Sequence, residues 1–280
     1  MEQKWTTVIK AKTGYFDFDL KELIQYKDLI WLFVKRNYTT RYKQTILGPL
    51  WLILNPMITV LLYSFVFGGI AGLSTDGSPA LLFYLASNSI WSYFSLCLSH
   101  TSNTFNLNVA VFGKVYFPRL TAPISTVITG FLDLSIQVIM LIVGLIIYNF
   151  KGIGTGSLYF VWLIPIIAIQ MALLSLGCGI IISSLTTKYK DLAVVVTFGI
   201  QLWMYVSPVV YSISQIPERY RDIYMLNPIA PIFSIWRYAF LGVGYIPWRM
   251  WGVSWVITIV VLIIGVCMFS KIEKTFMDTI

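Results

Sequence analysis

The residues that could do chemistry are few in this sequence, and none falls in a pattern that builds an active site. No G-x-x-x-x-G-K-[ST] loop is present to hold a nucleotide, and no H-E-x-x-H, G-x-S-x-G or C-x-x-C pattern supplies metal ligands or a nucleophile. The single histidine, His100, has no metal-ligand partner in sequence, so we expect it to be a polar packing residue. The sequence therefore predicts a protein that is not an enzyme and binds no metal or cofactor itself.

One carboxylate lies inside a long apolar run. Asp133 has Gln137 one helical turn away, on the same face of the predicted helix. A proton relay is one interpretation, but a single carboxylate is thin support for coupling transport to protons. We favour a hydrogen bond between helices, or an arginine partner beside a water-filled path.

Membrane spans are the elements that must position these residues. The chain of 280 residues is 58% hydrophobic and 11% charged, and a soluble domain of this composition could not cover its surface with polar groups. Apolar runs long enough to cross a bilayer occur at 46–71, 80–104, 120–150, 157–185, 192–211 and 248–270. We predict an all-α polytopic membrane protein with six transmembrane helices and no nucleic-acid partner.

The distribution of basic residues predicts the orientation. Nine lysines and arginines precede the first span, and two more lie in each of the other segments on that side. The segments on the opposite side hold only five basic residues. Because positive charge accumulates on the cytoplasmic side, both termini are predicted to be cytoplasmic.

The chain divides into a cytoplasmic segment, 1–45, and a membrane domain, 46–280. In the first, Asp19 reads as the N-cap of an amphipathic helix over 20–36, lying along the cytoplasmic interface. Its predicted apolar face consists of Leu20, Leu23, Ile24, Ile30, Trp31 and Val34. This helix either anchors the first span or docks a partner.

Two connections have unusual composition. The segment at about 105–114 can form a short amphipathic helix that stops at Gly113 and is suited to transmit motion from a soluble partner; an ordinary turn is the alternative. The segment at about 212–246 is interrupted by prolines yet remains apolar, which predicts short re-entrant or interfacial helices at the external mouth. A packed cap that merely seals the bundle is the alternative there.

The stretch 41–51, RYKQTILGPLW, followed by Asn55-Pro56, resembles the first-span signature of permease subunits of ATP-binding-cassette polysaccharide exporters. These ABC-2-type permeases export O-antigen, teichoic acid or capsule polysaccharide. KVYFPR at 114–119, SPVVY at 207–211 and LNPIAP at 226–231 agree in order and spacing. The resemblance thus covers nearly the whole chain.

The resemblance implies half of a homodimeric channel in the cytoplasmic (inner) membrane, in which each half is bound to one of two ATPase subunits that hold ATP and Mg²⁺. Its substrate would be a lipid-linked polysaccharide, and membrane lipids would surround the protein. The predicted coupling residues are Asn106, Leu107, Val109, Phe112 and Lys114. The predicted residues of the external gate are Pro208, Tyr211, Pro217, Asn227, Pro228 and Arg237.

Aromatic rings can stack on sugar faces, so aromatic residues of spans one, two and five are candidates for the channel lining. They are Tyr63, Phe67, Trp91, Tyr93, Phe94, Trp203 and Tyr205. Arg41, Lys43 and Arg119 are candidates for contacts with an anionic lipid linkage at the cytoplasmic entrance. The alternative role is that of interfacial belt residues for the aromatic side chains and of topology signals for the basic ones. The rival functions are an exporter of a lipid or small molecule and an intramembrane glycan-modifying enzyme.

Overall fold

The computed structural model describes residues 20–43, 46–153, 160–187, 189 and 191–275. Across these ranges the chain forms eleven α-helices. They are α1 (Leu20–Gln25), α2 (Lys27–Tyr42), α3 (Trp51–Tyr63), α4 (Ala80–Ser102), α5 (Thr104–Phe112), α6 (Thr121–Phe150), α7 (Leu163–Thr186), α8 (Leu192–Val206), α9 (Glu218–Tyr224), α10 (Ile229–Leu241) and α11 (Trp248–Thr275). A 3₁₀ turn, Gly48–Leu50, precedes α3, and a π-helical segment, Ser64–Ile70, continues it.

Five helical segments of the described chain are long and apolar enough to cross a membrane. They are Gly48–Ile70, Ala80–Ser102, Thr121–Phe150, Leu163–Thr186 and Trp248–Glu273. At a rise of about 1.5 Å per residue, each can span a hydrocarbon core of about 30 Å. The prediction of an all-helical polytopic membrane protein is confirmed, although the beginning of the predicted span 157–185 lies outside the described residues.

The helix in the predicted span 192–211 is shorter than expected. It is α8, which has 15 residues and ends at Val206. Ser207 is extended, with ψ of 152°, and the following Pro208 disfavours a helical conformation at that residue. The expected end at Tyr211 was therefore wrong, because the proline acts one residue before its own position.

Although α8 is short, it runs from one end of the bundle to the other. It begins shortly after α7, whose last residue, Thr186, donates a hydrogen bond to the Ser102 carbonyl at the end of α4, at 3.0 Å. Near the other end of α8, the Met204 sulfur accepts a hydrogen bond of 3.4 Å from Tyr63 at the end of α3. We call these the α5 end and the gate end of the bundle.

Helices α4 and α7 form the centre of the bundle. In an 18-residue hydrophobic stretch of α4, 78% of the residues are buried, against 17% in the corresponding stretch of the first span and 22% in that of α11. Gly177 of α7 lets α11 approach closely, because a Cβ there would lie 3.0 Å from the Leu262 backbone. The first span and α11 are therefore peripheral, and α4 is enclosed by its neighbours.

The N-terminal helix differs from the prediction in its extent and in its buried face. It is interrupted at Tyr26 and continues to Tyr42, beyond the expected end at residue 36. Phe33 and Val34 are buried, whereas Trp31, expected on the apolar face, is 67% exposed. The buried face is set by packing on α6, which periodicity along one helix does not report. Asp19, the predicted cap, lies outside the described residues.

Candidate functional site

A polar cavity of about 340 Å³ lies between α3, α4, α6 and the end of α2. Polar and apolar side chains from all four helices line it. The lining residues are Arg41, Trp51, Leu52, Asn55, Pro56, Thr59, Asn88, Ser92, Leu96, Asp133 and Gln137. Amide, hydroxyl and charged groups are costly within an apolar bundle, so their convergence marks this cavity as the candidate functional site.

An ion pair closes one side of this polar cavity. Arg41, in the last turn of α2, donates a hydrogen bond to Asp133 of α6. The Asp133 side chain is 9% exposed and that of Arg41 is 37% exposed. An arginine partner beside a polar path was one of the two arrangements favoured for Asp133. The pair leaves the cavity formally neutral while keeping a guanidinium at its edge.

Two buried amides continue the polar lining. Asn88 of α4 donates to the Gln137 side chain of α6 at 3.3 Å, and both residues are buried. Sequence reasoning singled out Gln137 but missed Asn88, Asn55 and Thr59 as lining residues. Their signal was available, since an amide or hydroxyl inside a span is itself unusual.

The aromatic candidates for the channel lining fall into two groups. Tyr63 and Phe67 are partly exposed and pack edge to face at 5.6 Å, Trp203 is partly exposed, and Tyr205 is 58% exposed. The three from α4 are buried within this chain: Trp91, Tyr93 and Phe94. These three rings pack in the core of the chain and do not line the polar cavity, so their place in a channel lining stays a prediction.

Only one of the three basic entrance candidates lines the polar cavity. Lys43 is exposed, and Arg41 forms the ion pair described above. Arg119 binds Glu273 of α11 instead: its backbone N–H donates to the carboxylate at 3.0 Å and its guanidinium to the Glu273 carbonyl. Burial lowers the pKa of Arg119, and Glu273 opposes that shift. Arg119 thus ties the start of α6 to the end of α11.

Helix α5 occupies the segment that the sequence assigned to coupling. One face is buried: Phe105 and Phe112 pack 6.0 Å apart, centroid to centroid. The opposite face is exposed and carries Asn106, Leu107 and Val109, with Lys114 exposed just beyond the helix. Phe112 was expected to take part in coupling, but it is 4% exposed and holds α5 in place rather than facing outwards.

Helix α2 is hydrogen-bonded to the buried face of α5. Arg36 of α2 donates to the Asn108 side chain of α5 at 3.0 Å and stacks over the Phe33 ring at 4.6 Å. Burial lowers the pKa of the Arg36 guanidinium. The N-terminal helix and the predicted coupling helix therefore contact each other directly.

The predicted gate residues converge at the gate end of the bundle. Pro217 and Pro228 immediately precede α9 and α10, where a proline sacrifices no helical hydrogen bond. The Asn227 side chain accepts from the Trp203 ring N–H at 3.3 Å and donates to the Ser207 hydroxyl at 3.1 Å. This asparagine fixes the end of α8 to the start of α10.

A second set of gate contacts surrounds Tyr211. Its hydroxyl lies 3.0 Å from that of Tyr224, and burial is the main cause that raises the pKa of Tyr224. The Tyr211 carbonyl accepts a hydrogen bond of 3.2 Å from Arg237, whose guanidinium lies 4.6 Å from the centre of the Phe83 ring. The gate segment is thereby packed onto α4 and is not an exposed loop.

No cluster of three or more histidine, cysteine, aspartate or glutamate side chains that could hold a metal ion occurs in the described part of the chain. His100, expected to be a polar packing residue, is exposed in the last turn of α4.

Proteins of known name match this chain over most of its length. RfbA of Klebsiella pneumoniae, an O-antigen export system permease, is 29% identical over 270 residues, covering 96% of this chain and 98% of the relative. RfbA of Myxococcus xanthus is 25% identical over 224 residues, 79% of this chain and 83% of that one. The inner membrane transport permease YadH of Escherichia coli K12 is 25% identical over 204 residues, with 69% and 76% covered.

The family model described as ABC-2 type transporter matches residues 28–241, from α2 to the end of α10. The matched region includes the polar cavity, α5 and the gate segments. The resemblance seen in the sequence motifs is confirmed. This multi-pass membrane protein belongs to the ABC-2 type transporter family.

Proposed function

We propose that the chain is the channel-forming subunit of an ATP-driven exporter that moves a lipid-linked polysaccharide, such as O-antigen, across the cytoplasmic membrane. The polar cavity beside α3 is the observation that carries this proposal, because a sugar polymer needs hydroxyl and amide partners on its path. Two relatives named as O-antigen export permeases support the choice of cargo.

In this proposal a second copy of the chain completes the channel along α3. Only 17% of the residues in the hydrophobic stretch of the first span are buried within one chain. Phe65, in the π-helical segment that continues α3, is 67% exposed. Asn55 lines the polar cavity and is also exposed. An exposed amide on a span favours a protein neighbour, since lipid tails offer no hydrogen-bond partner.

The orientation proposed for the chain has both termini and the α5 end in the cytoplasm. The support is the excess of basic residues in the segments at that end, including Arg36, Lys43 and Lys114. The gate segments then lie at the external mouth, where they would close or open the path.

The ATPase subunits are proposed to dock on the exposed face of α5. This chain has no P-loop, so ATP and Mg²⁺ would be bound by two partner subunits. Leu107 is 65% exposed on a helix whose other face is packed into the bundle, and Asn108 ties that helix to α2. A push on α5 would therefore reach α2 and, through Arg41, the polar cavity.

Arg41 is proposed to meet the anionic linkage between lipid and glycan. Its guanidinium lies at the edge of the polar cavity and remains partly exposed while paired with Asp133. Phosphate oxygens form strong charge-assisted bonds with arginine, so a pyrophosphate could share this group with Asp133. Lys43, exposed one residue beyond α2, would add positive charge at the same entrance.

One observation favours an exporter of a lipid or small molecule as the second candidate. The cavity of about 340 Å³ within one chain falls in the usual range of about 300–1,000 Å³ for small-molecule sites. A continuous channel would require this cavity to join its counterpart in a second copy. The two functions therefore differ in whether the path is closed within one chain.

Removing the chain from its own organism tests the proposal. We expect the surface polysaccharide to be lost and its lipid-linked form to accumulate on the cytoplasmic side, with both effects reversed by the restored chain. Purification from native membranes should also recover a P-loop ATPase in equal amount. Normal surface polysaccharide after removal would contradict the polysaccharide proposal, and a lipid or small molecule accumulating instead would favour the second candidate.

A further inference from the structure

A second, smaller polar pocket lies at the gate end of the bundle, apart from the polar cavity beside α3. Its volume is about 140 Å³, close to that of engineered cavities of about 150 Å³ that accept one benzene-sized molecule. Its polar lining includes Asp76, Ser212, Ser214, Arg221, Arg237 and Tyr245. We call it the gate pocket, and it has room for one small polar group.

Two arginines give the gate pocket its charge. Arg237 is 3% exposed, and its one hydrogen bond to a described residue is to the Tyr211 carbonyl. Arg221 donates to the Ile216 carbonyl at 3.3 Å, while its buried Nε–H has no hydrogen-bond partner among the described residues. A buried donor left without a hydrogen bond destabilises the fold, so these donors would gain from an acceptor in the pocket.

Among the described residues, one carboxylate lines the gate pocket, and it already accepts hydrogen bonds. Asp76 accepts hydrogen bonds from the hydroxyls of Ser212 and Ser214, the latter at 2.6 Å. No described carboxylate lies within 4.0 Å of the charged nitrogens of Arg221 or Arg237. Two guanidinium groups and one carboxylate leave a formal charge of +1 in the pocket. A group with a single negative charge would balance it.

The surroundings of the gate pocket resemble a membrane interface. Tyr220 and Ile223 of α9 are exposed, as is Trp248 at the start of α11, and Tyr245 is 43% exposed at the pocket itself. Tyrosine and tryptophan concentrate where a protein crosses the headgroup layer of a bilayer. The pocket therefore lies beside exposed aromatic and apolar side chains of the kind that meet lipid headgroups and upper acyl chains.

We infer that the gate pocket binds one phosphodiester group, supplied by the headgroup of a membrane phospholipid. The single charge of a phosphodiester matches the pocket's net charge, and its oxygens suit arginine donors and serine hydroxyls. The bound headgroup holds α9 and α10 together, because Arg221 and Arg237 come from these two helices. The bound lipid would then be part of the gate, whereas other lipids only surround the protein.

Native mass spectrometry of the purified, delipidated chain in detergent tests this inference. The probes are phosphatidylglycerol, a diacylglycerol with the same acyl chains, and inorganic phosphate. We expect saturable binding of phosphatidylglycerol and none of diacylglycerol. Arg221→Gln should weaken phosphatidylglycerol binding roughly tenfold, the loss expected for one charge-assisted hydrogen bond. Arg219→Gln is the matched control, because Arg219 lies on the same helix over the Tyr220 ring and does not line the pocket.

The outcomes separate the sources of the phosphate. Binding of inorganic phosphate that depends on Arg221, without further gain from phosphatidylglycerol, would keep the phosphate site and reject the lipid as its source. Equal binding of phosphatidylglycerol and diacylglycerol would overturn the inference, as would equal loss in the Arg221 and Arg219 variants. Displacement of phosphatidylglycerol by a glucuronate oligosaccharide at lower concentration would assign the pocket to an acidic polymer instead. Because the wild-type comparison of the two lipids needs no variant and no transport, its failure would leave the proposed export function untouched.

Discussion

Arginines at the two ends of the bundle are satisfied in different ways. Toward the α5 end, Arg41 pairs with the Asp133 carboxylate, and Arg119 contacts Glu273 through its backbone N–H and its guanidinium, so that each arginine joins two distant helices. At the gate end, Arg237 contacts a backbone carbonyl and a ring face, and no described carboxylate lies within 4.0 Å of it. In the proposed mechanism, the contacts at the α5 end link helices that transmit motion from the ATPase, whereas the gate arginines hold positive charge for the inferred anion.

The largest effect is expected from Phe112, which holds α5 in place at the α5 end of the bundle. Phe112→Ala should lower the free energy of unfolding by about 4 kcal/mol, because a buried ring packed on Phe105 and Phe117 would leave a cavity. Leu107→Asp on the exposed face should change it by less than about 0.5 kcal/mol yet reduce recovery of the ATPase. Unfolding in detergent and co-purification measure the two effects. Equal destabilisation by both variants would contradict the two-faced description of α5.

Breaking the pair in the polar cavity comes next. Arg41→Ala should cost about 3 kcal/mol of stability and reduce export at least tenfold, because it leaves Asp133 as a buried charge without its partner. The double variant with Asp133→Ala should recover much of the stability but not the export. Thermal unfolding and a transport assay give the two readouts. A double variant less stable than Arg41→Ala would argue against the pair.

A smaller effect is expected where Arg119 joins α6 to α11. Arg119→Gln should lower the free energy of unfolding by about 1–2 kcal/mol, because the guanidinium contact with the Glu273 carbonyl is lost while the backbone bond remains. Lys35→Gln, on the exposed side of α2, serves as the charge-matched control. Equal free energies of unfolding for these two variants would show that Arg119 does not stabilise the α5 end.

The smallest effect is expected at the gate. Tyr224→Phe removes the hydroxyl contact with Tyr211 and should cost about 1 kcal/mol, the usual contribution of one hydrogen bond. Hydrogen exchange of the amides in α9 should rise while that of α5 stays constant. Faster hydrogen exchange in both α9 and α5 would indicate that the gate end and the α5 end are not separate units.

Sequence patterns predicted the parts of the fold that depend on local composition. Long apolar runs gave the positions of the five long spans, and prolines before α9 and α10 marked the broken gate region. The length of α8 was missed because Pro208 changes the conformation of Ser207, a local effect that hydropathy does not report.

The candidate site was less predictable because it depends on which faces meet. The α4 aromatics were predicted to line a channel, but they pack inside the bundle while Ser92 and Leu96 of the same helix line the polar cavity, and periodicity on one helix does not reveal its neighbours. Asp76 meets Ser214, which is 138 residues away in sequence, so no motif could indicate the gate pocket. Asp133 was the exception, since a lone carboxylate in a span demands a partner.

Site-specific photo-crosslinking tests most directly the proposal that the polar cavity beside α3 lies on the export path. A photoreactive residue would replace Thr59, which lines the cavity, or Val256 on the exposed face of α11, which is the control. In membranes that contain the ATPase partner and labelled lipid-linked glycan, we expect ATP-dependent labelling at position 59 and none at position 256. Equal labelling at both positions, or labelling at position 256 alone, would contradict it.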